Sequence, residues 1–176
     1  SGDQINDGVE LSLSYTAIDN KKSVISTLRP FVTLTYSDFN YDDFKSDANN
    51  NEQTKDYSGN TVIGVPPLLF NVGLNVVSKY GFYFDGSFQY VDDMYITFDN
   101  NHEAPAYSLL NAKLGYQKTI SKHWNIDLYA GGNNLTNSLY YNMVFINWER
   151  GAQPSIYSPG AFNPTFYGGA KLKYTF

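Results

Sequence analysis

The sequence predicts an all-β protein, an antiparallel transmembrane β-barrel, on three observations. Hydrophobicity alternates with a period of two, the links alternate between short and long, and Tyr and Phe gather near the ends of the alternating segments. The aromatic load is heavy for a polar chain: 16 Tyr and 12 Phe among 176 residues, with a mean hydropathy of −0.38.

Seven segments carry the alternation. In the first, Val9, Leu11, Leu13 and Tyr15 alternate with Glu10, Ser12 and Ser14; in the second, Val32, Leu34 and Tyr36 alternate with Thr33, Thr35 and Ser37. Phe70, Val72, Leu74 and Val76 then oppose Asn71, Gly73 and Asn75, and Phe82, Phe84, Phe88 and Tyr90 oppose Tyr83, Asp85, Ser87 and Gln89. The fifth sets Leu110, Ala112, Leu114 and Tyr116 against Asn111, Lys113 and Gln117. Trp124, Ile126, Leu128 and Ala130 face away from Asn125, Asp127 and Tyr129. The last segment puts Phe166, Gly168, Ala170, Leu172, Tyr174 and Phe176 on one face and Tyr167, Lys171 and Lys173 on the other. A period of two with one apolar side is the pattern of a strand in a two-faced sheet. No segment reads as an amphipathic helix.

Short polar turns at 19–22, 78–81 and 120–123 interleave with long links at 46–64, 99–106 and 138–160. Antiparallel strands joined this way have a short-turn end and a long-loop end, as outer-membrane barrels do. The competing reading is a soluble β-sandwich, whose strands also alternate but turn the apolar face into a core. Branched aliphatics dominate such cores, whereas here Phe and Tyr stand at the segment ends, with Ala112, Ala130, Gly132, Gly168 and Ala170 between them.

Composition removes several functions. No apolar run approaches the ~18 residues of a spanning helix. With no Cys, disulfides and thiolate metal sites are excluded. A net charge of −5 argues against nucleic acid as a partner. The start, SGDQINDGVE, lacks the basic and apolar regions of a signal peptide.

Four stretches, in order, carry a family resemblance: INDGVELSLSY, GNTVIGVPPLLFNVGL, the pair YSLLNAKLGY and AGGNNLTNSLYYN, and the ending FYGGAKLKYTF. Together the chain resembles the C-terminal third of the β-barrel of a TonB-dependent outer-membrane receptor, of the kind that takes up siderophores. Asn134, Leu135 and Tyr141 stand at matching positions of the penultimate hairpin, and Gly169, Leu172, Tyr174 and Phe176 match the terminal signal read by the barrel-assembly machinery. Tyr167 departs from the polar residue usual at the start of that signal. The resemblance implies a bacterial outer-membrane location, lipid around the wall, TonB as a partner through a plug domain that the chain lacks, and a small ligand such as a ferric siderophore. It implies no cofactor. On this reading the chain is a fragment, about seven strands of a barrel of about 22, with plug and signal peptide absent. The alternatives are a non-transporting structural or adhesive outer-membrane barrel, or a soluble β-sandwich binding protein.

Candidate chemistry is sparse, and no serine, acid and histidine constellation suggests an enzyme. DFNYDD at 38–43 begins like a calcium loop, but Asp43 stands where Gly is required and Asn49 where Glu is required, so a solvated acidic loop is the better reading. His102 and His123 fall in links at opposite ends and cannot share a metal. The best ligand-binding candidates are Tyr141, Trp148, Arg150 and Tyr157 in the last long link, where aromatic and guanidinium groups could pack against a chelate. Girdle packing is the competing use of Tyr140 and Tyr141. Charge is expected to be polarised, with Asp38, Asp42, Asp43, Asp47, Glu52, Asp56, Asp92, Asp93, Asp99, Glu103 and Glu149 towards the long links. Lys21, Lys22, Lys79, Lys118 and Lys122 stand towards the short turns, with Lys45, Lys55 and Arg150 the exceptions at the acidic end and Asp19 at the basic one.

Overall fold

The computed structural model describes residues 2–45, 54–141, 160 and 163–176. Ten strands run in chain order: β1 (Gly2–Ser14), β2 (Ile18–Asp19), β3 (Ile25–Phe44), β4 (Leu68–Ser78), β5 (Phe82–Val91), β6 (Met94–Tyr95), β7 (Glu103–Ala104), β8 (Tyr107–Thr119), β9 (Trp124–Asn133) and β10 (Thr165–Tyr174). The seven long ones form a single antiparallel sheet in the order β1-β3-β4-β5-β8-β9-β10, with β2 paired to β3 and β6 to β7. These are the seven alternating segments of the sequence, each next to its neighbour in the chain. No helix occurs among the described residues.

Register converts the alternation into two faces. One row runs Leu28, Val76, Phe84, Leu114, Ala130 and Gly168 across six strands; the next runs Arg29, Asn75, Asp85, Lys113, Gly131 and Tyr167. These two rows keep apolar and polar residues apart, because a period of two sends successive side chains to opposite faces. No second layer covers the apolar face among the described residues: Leu114 and Leu172 are each 62% exposed and Phe166 is 77% exposed. A sandwich would bury these residues. The polar face is the concave one, with an open depression of about 480 Å³ lined by Asn75, Tyr83, Lys113, Gln117, Asn125 and Asp127, among others.

Four glycines of the polar face lie directly opposite aromatic residues: Gly73 faces Phe31, Gly115 faces Tyr83, Gly169 faces Tyr129 and Gly131 faces Tyr167. Each ring covers its partner so closely that an added Cβ would overlap it. The absence of a side chain is what lets the ring come against the neighbouring strand.

The acidic stretch 38–43 is part of a strand, which corrects the expectation of a loop. β3 runs unbroken through it to Phe44 and pairs with β1, Asp38 opposite Asp7 and Asp43 opposite Asp3. Cross-strand bonding to β1 outweighs the poor strand propensity of Asp and Asn. A register shift between Asp3 and Gln4, whose partners are Asp43 and Tyr41, leaves Asp42 as an extra residue in β3. Such a bulge re-aims side chains; here the Tyr41 and Phe44 rings, three positions apart, come together at 4.8 Å.

The buried side chains gather at the long-link end. Tyr57, Val62, Ile63, Ile96 and Ala104 are the buried apolar residues there, with Val91 at the end of β5. Residues 56–64 return beside the far half of β3, through Tyr57 N–H to Phe44 O, Tyr41 N–H to Asn60 O and Val62 N–H to Phe39 O. The β5–β8 link, 92–106, packs against this arm. Asn100, at a φ of 54°, accepts the Thr61 N–H (2.8 Å) and donates to the Thr61 carbonyl (3.0 Å), so its amide imitates a strand partner. Asn60 donates to Phe98 O (2.7 Å), and the Phe98 ring joins Tyr41, Phe44 and Tyr57. The two links thus form one packed shelf.

Candidate functional site

Two surfaces carry the functional potential: the polar concave face and the long-link end above it. Lys113 stands at the middle of the concave face. Its Nζ lies 4.6 Å from the Tyr129 ring centre and 5.3 Å from that of Tyr83, within cation–π reach of both. Tyr83 donates its hydroxyl to Asp127 (2.9 Å), and Asn75 donates to Asp85. Gln117 donates to Asn125 (3.2 Å), which donates to Thr119 (3.1 Å). This is a fixed, wettable surface of amides, phenols and a few charges. It can pass or hold polar groups, and no group of three or more His, Asp or Glu suited to a metal occurs among the described residues.

The long-link end is acidic and aromatic. Asp99 accepts the Thr97 hydroxyl (2.7 Å), the Asn101 side-chain amide (2.8 Å) and the Asn101 backbone N–H (3.2 Å). These donors, Thr97 foremost, hold its carboxyl below the usual range, whereas burial beside Asp92 and Glu103 pushes Asp93 up. A depressed carboxyl stabilises the fold fully above its unfolded value, ~3.9, and loses that contribution as pH falls through the folded value. Asp93 has the opposite sign. Amide exchange in the 95–101 segment is therefore expected to accelerate as pH drops below about 4 after correction for intrinsic rates. Asp99→Asn should flatten that dependence, and an unchanged profile in this variant would disprove the assignment.

Near the start of the third link Tyr107 stacks on Tyr140 at 5.2 Å, beside a smaller depression of about 350 Å³ lined by Tyr90, Tyr107, Ser108, Ser138 and Leu139. Asn134, with a φ of 52°, is buried to 3% exposure. Its side chain accepts the Ser138 N–H (2.9 Å) and the Thr136 hydroxyl (3.1 Å) and donates to the Ser138 carbonyl (2.9 Å). Its backbone N–H bonds to Asn111 (3.0 Å). The asparagine thereby closes the turn that ends β9.

Of the four expected ligand-binding residues, Tyr141 is half-buried just beyond the Tyr107–Tyr140 stack, while Trp148, Arg150 and Tyr157 lie outside the described residues. The four residues of the expected assembly signal all fall in or after β10. Gly169 lies under the Tyr129 ring, Leu172 is exposed on the apolar face, and Tyr174 packs edge-on against Trp124 (4.9 Å) and Phe176 (5.0 Å). Sequence reasoning missed the Lys113 cluster and Asn100, and it marked Asn134 without its fastening of Ser138. The clue to the first was available, since Tyr83, Lys113 and Tyr129 alternate with apolar residues on the polar side of three strands that adjoin in the sheet.

Charge separates as expected among the described residues. Asp38, Asp42, Asp43, Asp56, Asp92, Asp93, Asp99 and Glu103 lie towards the long-link end, joined by Asp3 and Asp7 of β1; Lys21, Lys22, Lys79, Lys118 and Lys122 lie at the short-turn end. His102 and His123 are at opposite ends. Lys45 bridges Asp43 (3.6 Å) and Asp56 (4.0 Å) on the acidic side, an exposed pairing worth little to stability.

Comparison with solved structures places this sheet. The siderophore receptor PiuA from Acinetobacter baumannii matches with a TM-score of 0.72 and 21% identity over 99% of the chain and 22% of that receptor. BauA, the ferric preacinetobactin receptor of the same organism, gives 0.67 and 21% over 98% of the chain and 22% of its own. FyuA, the ferric yersiniabactin uptake receptor of Yersinia pestis, gives 0.66 and 18% over 99% and 24%. The chain thus spans about a fifth to a quarter of the length of these receptors. No curated protein matches it. The family profile described as TonB dependent receptor-like, beta-barrel matches residues 1–135. With that profile over most of its length and a single sheet of the same fold, the chain belongs to the TonB-dependent receptor β-barrel family.

Proposed function

We propose that residues 1–176 form the C-terminal part of the barrel wall of a Gram-negative outer-membrane transporter that takes up a scarce nutrient, a ferric siderophore by preference, with energy delivered through TonB. The observation that carries this reading is the single two-faced sheet: an uncovered apolar face on one side and a concave polar face on the other. A wall between lipid and a wet lumen requires both. The eight-residue step from Phe82 to Tyr90 along β5 is about 26 Å of strand, or about 20 Å of height at a usual tilt of ~40°. That accords with the ~25 Å apolar band of such barrels. β3, with 20 residues, is about 66 Å long and so carries the shelf well above the membrane.

The remaining strands and the plug belong on this reading to the rest of the receptor, and Gly169, Leu172, Tyr174 and Phe176 form the signal for the assembly machinery. Tyr141, Trp148, Arg150 and Tyr157 contribute to ligand contact at the mouth. Likeness to three siderophore receptors supports an iron chelate as the cargo, and the acidic long-link end suits a metal-bearing or cationic one. The protein on this account is a transport receptor and no enzyme.

The test is uptake of radio-iron bound to hydroxamate, catecholate and phenolate siderophores by cells whose only receptor is the full-length protein. Uptake of at least one chelate is expected to require the receptor and to vanish without TonB. A receptor that inserts in the outer membrane yet supports no chelate uptake would refute the iron assignment. Extraction without detergent would refute the membrane reading itself.

A further inference from the structure

The lysines of the short-turn end are placed differently from a simple soluble rim. Lys118 follows Leu114 and Tyr116 on the apolar face of β8, in a row with Ile126 of β9. Lys79 Nζ lies 5.1 Å from the centre of the Tyr80 ring and 3.4 Å from the Lys22 carbonyl oxygen, so it bridges the first and second turns at the level of that ring. Between Lys79 and Lys118 stands Phe82, 60% exposed and packed on Tyr116 at 4.8 Å. None of Lys21, Lys22, Lys79, Lys118 and Lys122 meets a carboxylate within ion-pair distance among the described residues. Asp19 is the one acid in these turns.

Unpaired ammonium groups beside outward-facing aromatic rings, one of them on the apolar face itself, are arranged for a boundary where hydrocarbon gives way to fixed negative charge. A phosphodiester headgroup supplies that charge, and its acyl chains would continue upward along Phe82 and Leu114. We propose that this end of the wall is a docking surface for anionic phospholipid of the leaflet nearest the short turns, with Lys79 and Lys118 flanking the headgroup and Lys21 and Lys22 beside it. The proposal rests on the membrane reading above and adds to it a preference among lipids. Each lysine near a charged bilayer surface contributes about fivefold in affinity, and the attraction weakens with salt.

The experiment uses the full-length receptor reconstituted in an equal mixture of phosphatidylglycerol and phosphatidylcholine, then transferred to detergent, with the retained lipid measured by mass spectrometry. Wild type is expected to retain phosphatidylglycerol over phosphatidylcholine by about tenfold or more, less at high salt. Replacing the five lysines with Gln should bring the ratio near unity, while replacing them with Arg should preserve it. Asp38→Asn with Asp43→Asn, at the other end, should leave it unchanged. Equal retention by wild type, or an undiminished ratio in the Gln variant, would overturn the proposal alone. Displacement of the lipid by inorganic phosphate would also overturn it, in favour of a soluble-anion site. Failure to insert into any bilayer would overturn it together with the membrane reading.

Discussion

Asn134→Ala is expected to destabilise the start of the third link by about 3 to 5 kcal/mol. The side chain holds Ser138 at both its N–H and its carbonyl and accepts the Thr136 hydroxyl, in a site 3% exposed. Removal leaves two backbone groups without partners, each costing about 1 to 3 kcal/mol when shielded from water. The backbone adds to this, because φ at Asn134 is 52°, where Ala is strained by about 1 kcal/mol and Asn or Gly is not. Asn134→Gly should therefore cost about 1 kcal/mol less than Asn134→Ala, which separates strain from lost bonding. Amide exchange at Leu135 and Ser138 in the folded receptor reads both terms. If the two variants exchange no faster than wild type there, the asparagine is not the fastening of this turn.

Ile96→Ala should loosen the shelf by about 3 kcal/mol, within the range for large-to-small substitutions in a packed core. Ile96 is 1% exposed, the most buried large side chain among the described residues. Its neighbours in the chain are tied in, Tyr95 accepting Gly64 N–H (2.8 Å) and Ile96 itself donating to His102 O (2.9 Å). Since the shelf packs on itself above the sheet, the loss should appear as sub-global opening: faster proteolysis and exchange in 57–64 and 94–104, with strand amides of β4, β5 and β8 protected as before. Leu114→Ala is the contrast. At 62% exposed on the apolar face, Leu114 has no packed surroundings in which truncation would leave a cavity. A global loss of strand protection in Ile96→Ala would show that the shelf is not a separate cooperative unit.

The strands were legible in the sequence because one physical fact, successive side chains pointing to opposite faces, is written at every residue of a two-faced sheet. Leu110 to Gln117 needed nothing else. The stretch 38–43 was not legible for the same reason in reverse: Asp38, Asn40, Asp42 and Asp43 lack the apolar partner pattern, and their pairing with β1 appears only once register is known. The extra residue at Asp42 hides further, since a bulge breaks the period on which the reading depends. Asn100 and Thr61 lie 39 positions apart, and no local pattern announces that a side-chain amide will stand in for a strand. Tyr141 is half-buried at the beginning of the last link. The facing of Lys113 between two tyrosines was half legible, as three polar-face residues whose proximity depended on strand order.

The aromatic rings over Gly73, Gly115, Gly131 and Gly169 have a geometric consequence for the relief of the concave face. A tyrosine standing upright from a sheet projects several ångströms above it, whereas one leaning across a neighbouring glycine stands lower. Four aromatic residues thereby give the concave surface π faces and phenols at a lower height than upright rings would have. Where glycine is tolerated thus decides how far the concave surface is raised, while rings and hydroxyls remain exposed to whatever meets it.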